Sequence, residues 1–214
     1  MNELSHVESG KCYKVKLGSD KKNELDILAS LRDDIFKSIR LRIDFEGLLD
    51  FENLFEYLPY LNKFKSHIDY MEDPLKNPNQ KLLEKLKNLT DIPLAIDRVF
   101  VPEDLKKDFD YGIIKPSKDS LSRLYDNNKF KNIVFTSYMD NELSILASYY
   151  EALDFYEKSN FKEMTCGFST FLLLRQSPFK NAFRLEDSVL IPNYEEREGF
   201  APKELLESLS WSQL

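Results

Sequence analysis

Short runs of β-type residues alternate along this chain with stretches whose apolar residues recur at helical spacing, and few folds accept that alternation. The predicted strands are Cys12–Leu17, Ile39–Asp44, Ile68–Glu72, Leu94–Asp97, Gly112–Lys115, Ile133–Ser137 and Glu163–Gly167. Between two of them, Gln80–Leu89 carries Leu82, Leu83, Leu86 and Leu89 as one apolar stripe, with Lys81, Glu84, Lys85 and Lys87 left for solvent. Asn141–Lys158 is the longest such stretch, and the aromatic clusters Phe51–Tyr60 and Tyr149–Tyr156 also sit at helical spacing, as helices covering a sheet would. Strands and helices in this order predict an α/β fold with a parallel sheet, doubly wound or closed as a (β/α)8 barrel. Neither a Gly-x-Gly-x-x-Gly turn nor a Gly-Lys-Ser/Thr loop follows the first strand, so the nucleotide-binding open sheet lacks its marker and the barrel is favoured. Six glycines and no low-complexity tract predict one continuous domain over residues 1–214.

Composition narrows the function. The 16 Phe, 11 Tyr and 1 Trp, with 42% hydrophobic residues, give the chain ample apolar surface for a core. Thirty-seven acidic against 30 basic residues leave a net charge of −7, which argues against nucleic acid as a partner. No apolar run approaches the ~20 residues that cross a bilayer, and the start MNELSHVESGK has neither basic nor apolar signal-peptide character, so a cytoplasmic protein with no membrane partner is expected. Only Cys12, Cys166, His6 and His67 are available as Cys or His ligands, so any metal must be held by carboxylates. Cys166, on an apolar run, reads as a small packing residue rather than a nucleophile.

Buried parallel strands should be nearly uninterrupted apolar runs, yet five successive ones here carry charge near their C-terminal ends: Lys14 and Lys16, then Asp44, Glu72, Asp97 and Lys115. The C-terminal ends of barrel strands are where active sites are built. Period-2 alternation puts Lys14 and Lys16 on one face, with Val15 and Leu17 on the other. In an eight-stranded ring the first and fifth strands are opposite, which would set Lys16 facing Lys115 with the three acids on the wall between. Such a wall is a cradle for one oxygen-ligated divalent cation, Mg2+ above others. Cation and lysines together suit removal of a proton α to a carboxylate, with the amine pKa lowered by the neighbouring ammonium and the cation.

The stretches YKVKLG, IRLRIDFEG, IDYMEDP, PLAIDRV, GIIKPS and VFTSYMD, followed by GFAPKELLESLSW, resemble in order the strand motifs of the enolase superfamily. They resemble most its muconate-lactonising and o-succinylbenzoate synthase branch. The resemblance implies that Lys16 is the base and Lys14 its charge-tuning neighbour. It implies that Asp44, Glu72 and Asp97 ligate Mg2+ and that Lys115 stabilises the enediolate from the opposite face. Ser137, Cys166 and Gly167 would line the succinyl end of a small-molecule carboxylate substrate. The implied reaction is dehydration of 2-succinyl-6-hydroxy-2,4-cyclohexadiene-1-carboxylate to o-succinylbenzoate, in menaquinone biosynthesis. N-succinylamino acid racemisation by the same lysines is the alternative, and a non-catalytic fragment the second.

Two departures from the family pattern stand out. Glu46 occupies the position, two residues after the first metal-ligand Asp, where the family has Asn. The family also has an N-terminal capping domain and a first barrel strand ahead of its Lys-x-Lys strand, whereas only residues 1–11 precede Cys12 here. The expectation is therefore a barrel of typical size ~250 residues that lacks its first strand and its cap, completed by a separate N-terminal polypeptide or by a second copy of the chain.

Overall fold

The structure is a computed structural model and describes residues 11–31, 39–97, 103–118, 130–170, 183–186 and 189–192. The motif GFAPKELLESLSW and His6 lie outside the described residues. Six strands, β1 (Cys12–Lys16), β2 (Arg40–Asp44), β3 (Ile68–Glu72), β4 (Leu94–Ile96), β5 (Tyr111–Ile114) and β6 (Asn132–Phe135), form one sheet in the order β1-β2-β3-β4-β5-β6. The pairings from β1 to β5 are all parallel. A strand order that follows the chain without reversal is that of an α/β barrel, because a doubly wound sheet reverses direction at its switch point.

The helices are α1 (Lys21–Ser30), α2 (Phe51–Lys63), α3 (Gln80–Lys87), α4 (Glu103–Lys106) and α5 (Glu142–Lys158). Four of them start on a side-chain cap that satisfies an otherwise orphaned N–H: Asp20 accepts from Asn23 N, Asp50 from Asn53 N, Asn79 from Leu82 N and Asn141 from Ser144 N. No helix among the described residues is long and apolar enough to cross a membrane.

Two compact units divide these elements. The first holds the described residues up to Gly112 and 130–132, and the second holds 113–118 and those from Ile133 onward. In the first, Ile43, Phe45, Leu54, Tyr57, Leu61, Met71 and Leu83 form the centre of a continuous core under α2 and α3. Helix α2 presents Phe51, Leu54, Tyr57, Leu58 and Leu61 to it, the stripe its periodicity requires. Helix α3 presents Leu83 and Leu86, whereas Leu89 lies beyond the helix end and is 38% exposed, so the predicted stripe is one residue too long.

In the second unit Ile133, Val134 and Phe135 of β6 and Ile145, Leu146 and Phe155 of α5 are buried, and the Phe135 and Phe155 rings meet edge to face at 5.2 Å. The predicted strand Glu163–Gly167 does not form. Only Gly167 pairs, in an isolated parallel bridge with Thr136, because exposed Lys162, Glu163 and Thr165 give a ladder there little apolar surface to bury. A hairpin of β7 (Phe183–Glu186) and β8 (Val189–Pro192) comes next, an element absent from the strands expected from sequence.

Candidate active site

Register places the charged strand ends of the first unit side by side. Lys14 is opposite Arg42 and Lys16 opposite Asp44 across β1–β2, and Asp44 is opposite Glu72 across β2–β3. The side chains then sort themselves by charge. Lys14 Nζ lies 2.9 Å from Asp44 Oδ2 and 2.8 Å from Glu72 Oε1, while the Lys16 ammonium pairs with Glu46 on the rim. Asp44 and Glu72 are buried, at 5% and 1% exposure.

Burial pushes the Glu72 carboxyl up to about 7; the Lys14 ammonium opposes the shift and the Asp44 and Asp97 charges add to it. For Lys14, burial pulls downward but the Glu72 and Asp44 carboxylates outweigh it, so its pKa is raised.

The turn after β2 fixes the mouth of the site. Glu46 and Gly47 both have left-handed backbone, with φ of 49° and 59°, and the Glu46 N–H donates to Asp44 Oδ1 at 2.8 Å. This Asx-type bond holds one Asp44 oxygen while the other faces Lys14. Asp73, also left-handed at φ 43° and buried, accepts from the Asp97 N–H through Oδ1 at 3.3 Å. Its own carbonyl accepts from Gly47 N–H at 2.8 Å. Asp73 thus ties the ends of β2, β3 and β4 together. Its one signal in the sequence is its place as the second acid of the Glu72-Asp73-Pro74 run.

The sequence-predicted cradle of three acids is drawn together in part. Asp44 and Glu72 share one ammonium, and Asp97 acts on Glu72 through its charge. Among the described residues, no three His, Cys, Asp or Glu side chains converge as a ligand set. The donor chemistry still suits a hard divalent cation. Mg2+ is commonly held by one or two carboxylates with its remaining positions on water or substrate oxygens. Glu72 Oε2 is buried and has no hydrogen-bond partner, an acceptor such an ion would satisfy. Asp44 and Glu72 are the residues that would hold it.

The remaining predicted residues lie in the second unit. Lys115 comes directly after β5, with its ammonium 5.9 Å from the Tyr138 ring centroid. Ser137 is buried; its Oγ donates to the Gly167 carbonyl at 3.2 Å and contacts Thr170 Oγ1 at 2.6 Å. The Cys166 thiol reaches the Met164 carbonyl at 3.4 Å. Ser137 and Gly167 are thus brought together by the β6 end and its bridge.

A polar cluster at the opposite, N-terminal ends of β1–β3 is not among the residues expected from sequence. Asp69 accepts from Arg40 Nε at 2.6 Å, from Arg42 Nε at 3.4 Å and from Cys12 Sγ at 3.5 Å. The Arg42 guanidinium also lies over the Tyr70 ring, 5.2 Å from its centroid. Its only sequence signal is the Arg40-x-Arg42 alternation on a buried strand. A shallow hollow of about 270 Å3 among Leu49, Phe51, Leu75, Lys76 and Leu82 lies over neither cluster.

No family model matches the chain. Over 98 residues, 45% of this chain and 28% of the relative, it is 26% identical to the L-Ala-D/L-Glu epimerase of Francisella tularensis subsp. novicida (strain U112). Among solved structures, a variant of muconate cycloisomerase superposes with a TM-score of 0.68 at 17% identity, covering 84% of this chain and 52% of that one. The o-succinylbenzoate synthase of Thermosynechococcus elongatus BP-1, with Mg in its active site, gives 0.53 at 22% identity over 70% of this chain and 51% of that one. The chain therefore spans about half the length of these structures and its match under a third of the curated relative. The structural neighbours are enolase-superfamily proteins, and the fold of this chain is that of their barrel.

Proposed function

We propose that this chain is the barrel of a divalent-cation-assisted enzyme that removes a proton α to a carboxylate, acting on a small carboxylate substrate. The reading is carried by one observation: a lysine and two buried carboxylates, Lys14, Asp44 and Glu72, meet at the C-terminal ends of three adjacent parallel strands, with Lys16 next on the same face of β1. Asp44 and Glu72 would hold a divalent cation, which would supply positive charge to stabilise the enediolate.

The chain's own residues take distinct roles. Lys16, once its pairing with Glu46 opens, presents its amine to the α-carbon and takes the proton. Lys14, two residues before the base on the same face of β1, is its charge-tuning neighbour. In the dehydration that yields o-succinylbenzoate, a syn geometry puts the departing hydroxyl on the face of the base. The ammonium formed at Lys16 then returns its proton and the hydroxyl leaves as water. Lys115 is the second lysine that the sequence resemblance implies for the reaction.

A second reading, epimerisation at the α-carbon of a dipeptide or N-acyl amino acid, is favoured by the 26% identical stretch shared with an L-Ala-D/L-Glu epimerase. The two readings share the proton abstraction and differ in the step after it. The test is α-proton exchange in D2O with Mg2+, monitored by NMR on the cyclohexadiene carboxylate, on L-Ala-L-Glu and on an N-succinyl amino acid. Exchange lost in Lys16→Ala supports the shared step, water loss or inversion selects the reaction, and exchange retained in Lys16→Ala sinks both.

A further inference from the structure

A cation already sits between the two buried carboxylates, and it belongs to the chain. Lys14 Nζ is within 2.9 Å of Asp44 and 2.8 Å of Glu72, so each carboxylate commits one oxygen to the same ammonium. Asp44 gives its other oxygen to the Glu46 N–H, and the second oxygen of Glu72 is buried without a hydrogen-bond partner. Two carboxylates directly opposite in register repel each other unless a positive charge stands between them. Lys14 supplies that charge.

We propose that Lys14 is a displaceable internal counter-cation, which occupies the Asp44–Glu72 pair when no metal is bound and is expelled when a divalent cation takes the same oxygens. The inference rests on the reading that this site takes such a cation. Two features of the geometry make the exchange physical. An ammonium and a divalent ion cannot share the same two oxygens at contact distance, because their like charges would lie only a few ångströms apart. The lysine head is a compact charge on a flexible four-carbon stem, and the Lys14 side chain is 38% exposed while Asp44 and Glu72 are nearly sealed. The ammonium can therefore swing toward solvent while the carboxylates stay in place. Lys14 then sets metal affinity by competition, and every metal-free molecule keeps its carboxylates neutralised.

The experiment is titration of Mn2+ into the full 214-residue chain at fixed ionic strength, with free Mn2+ measured by electron paramagnetic resonance. Lys14→Met removes the competitor and should tighten Mn2+ binding about tenfold or more, whereas Lys14→Arg, whose fork holds two carboxylates more persistently, should weaken it. Lys16→Met, which removes a neighbouring charge that does not touch Asp44 or Glu72, should shift affinity less than about threefold, the remainder expected from screened exposed charge. Equal or weaker binding by Lys14→Met, or an equal gain in Lys16→Met, overturns the proposal while leaving the metal site standing. Absence of Mn2+ binding in both the unmodified chain and Lys14→Met overturns the metal reading and the proposal together. If Lys14→Met does not fold, the Lys14→Arg result decides: unchanged or tighter binding overturns the competition.

Discussion

The Tyr57 hydroxyl donates to Glu24 Oε2 at 2.6 Å across 33 residues, locking the middle of α2 to the first turn of α1. The same carboxylate accepts from Gly18 N–H at 2.7 Å, Ser19 N–H at 3.1 Å and Asp20 N–H at 2.9 Å. One buried acid thus organises the whole loop after Lys16, including the left-handed Gly18 at φ 105°.

Glu24→Gln should destabilise the fold by roughly 1–3 kcal/mol at neutral pH, the cost of mispairing a buried acceptor. Burial raises the Glu24 pKa, but the Tyr57, Asp20, Gly18 and Ser19 donors outweigh it, so the group is held below its ordinary 4.5. A depressed carboxyl stabilises the fold above the unfolded value and loses that contribution as pH falls through the folded one. The difference between unmodified and variant chains in urea unfolding should therefore shrink on acidification below the ordinary 4.5. An equal penalty at neutral pH and in strong acid would contradict the assignment.

Cys12 should be a slow thiol. Burial pushes it from 9.0 up to about 11, with the Arg42 charge opposing and Asp69 adding. A rise of that size lowers the thiolate fraction in mildly alkaline buffer about 100-fold. Alkylation by iodoacetamide, resolved by peptide mass spectrometry, should be correspondingly slower at Cys12 in the folded chain than in urea. Equal rates would place the thiol in water.

Gly112 has no room for a methyl group. A Cβ there would lie 2.6 Å from Cδ2 and 2.8 Å from Cε2 of Phe130, and Phe130 packs against the core. Gly112→Ala should cost about 1–3 kcal/mol of overpacking, and Phe130→Leu in the same chain should recover part of it. Thermal melts of the unmodified chain, the single variant and the double variant give the comparison.

Leu83→Ala and Leu89→Ala distinguish the observed α3 from its predicted longer stripe. Leu83 is fully buried and Leu89 is 38% exposed. The first should cost about 2–5 kcal/mol by cavity formation, the second a small fraction of that. Comparable losses would put Leu89 in the core.

Glu46→Val should lose about 1–2 kcal/mol, because a β-branched residue resists the left-handed backbone found at Glu46. Glu46→Asn, compatible with that backbone, should not, since the Lys16 pairing it removes is exposed and such pairs contribute little. Chemical denaturation of both variants tests the point.

These positions show what the sequence could and could not disclose. Strands β1–β6 were legible as short runs of aliphatic and aromatic residues between helix-period stretches, although β1 is half-exposed, and helices α2, α3 and α5 because their apolar residues repeat on one face. Glu163–Gly167 failed because its alternation included exposed polar residues with nothing to pack on. The β7–β8 hairpin was missed because the residues between its strands in sequence, Asp187 and Ser188, are not the Asn-Gly or Asp-Gly pair that marks a tight turn. At the site, spacing identified which charges end the strands but not their partners. Lys14 turns to Asp44 and Glu72 while Lys16 turns to Glu46, a choice made by register and by one left-handed turn.

The Lys14–Glu72 contact spans 58 residues, which bears on the order in which the sheet assembles. Pairing of β2 with β3 sets Asp44 opposite Glu72, so without β1 the sheet carries unbalanced negative charge at that edge. Docking β1 on β2 closes a connection as long as the one between β2 and β3, 17–39 against 45–67, and it is the step that relieves the repulsion. The ammonium of β1 therefore acts as a latch on strand order: a chain that paired β2 with any other edge would leave two carboxylates side by side, and only the native neighbour brings the charge that lets them stay.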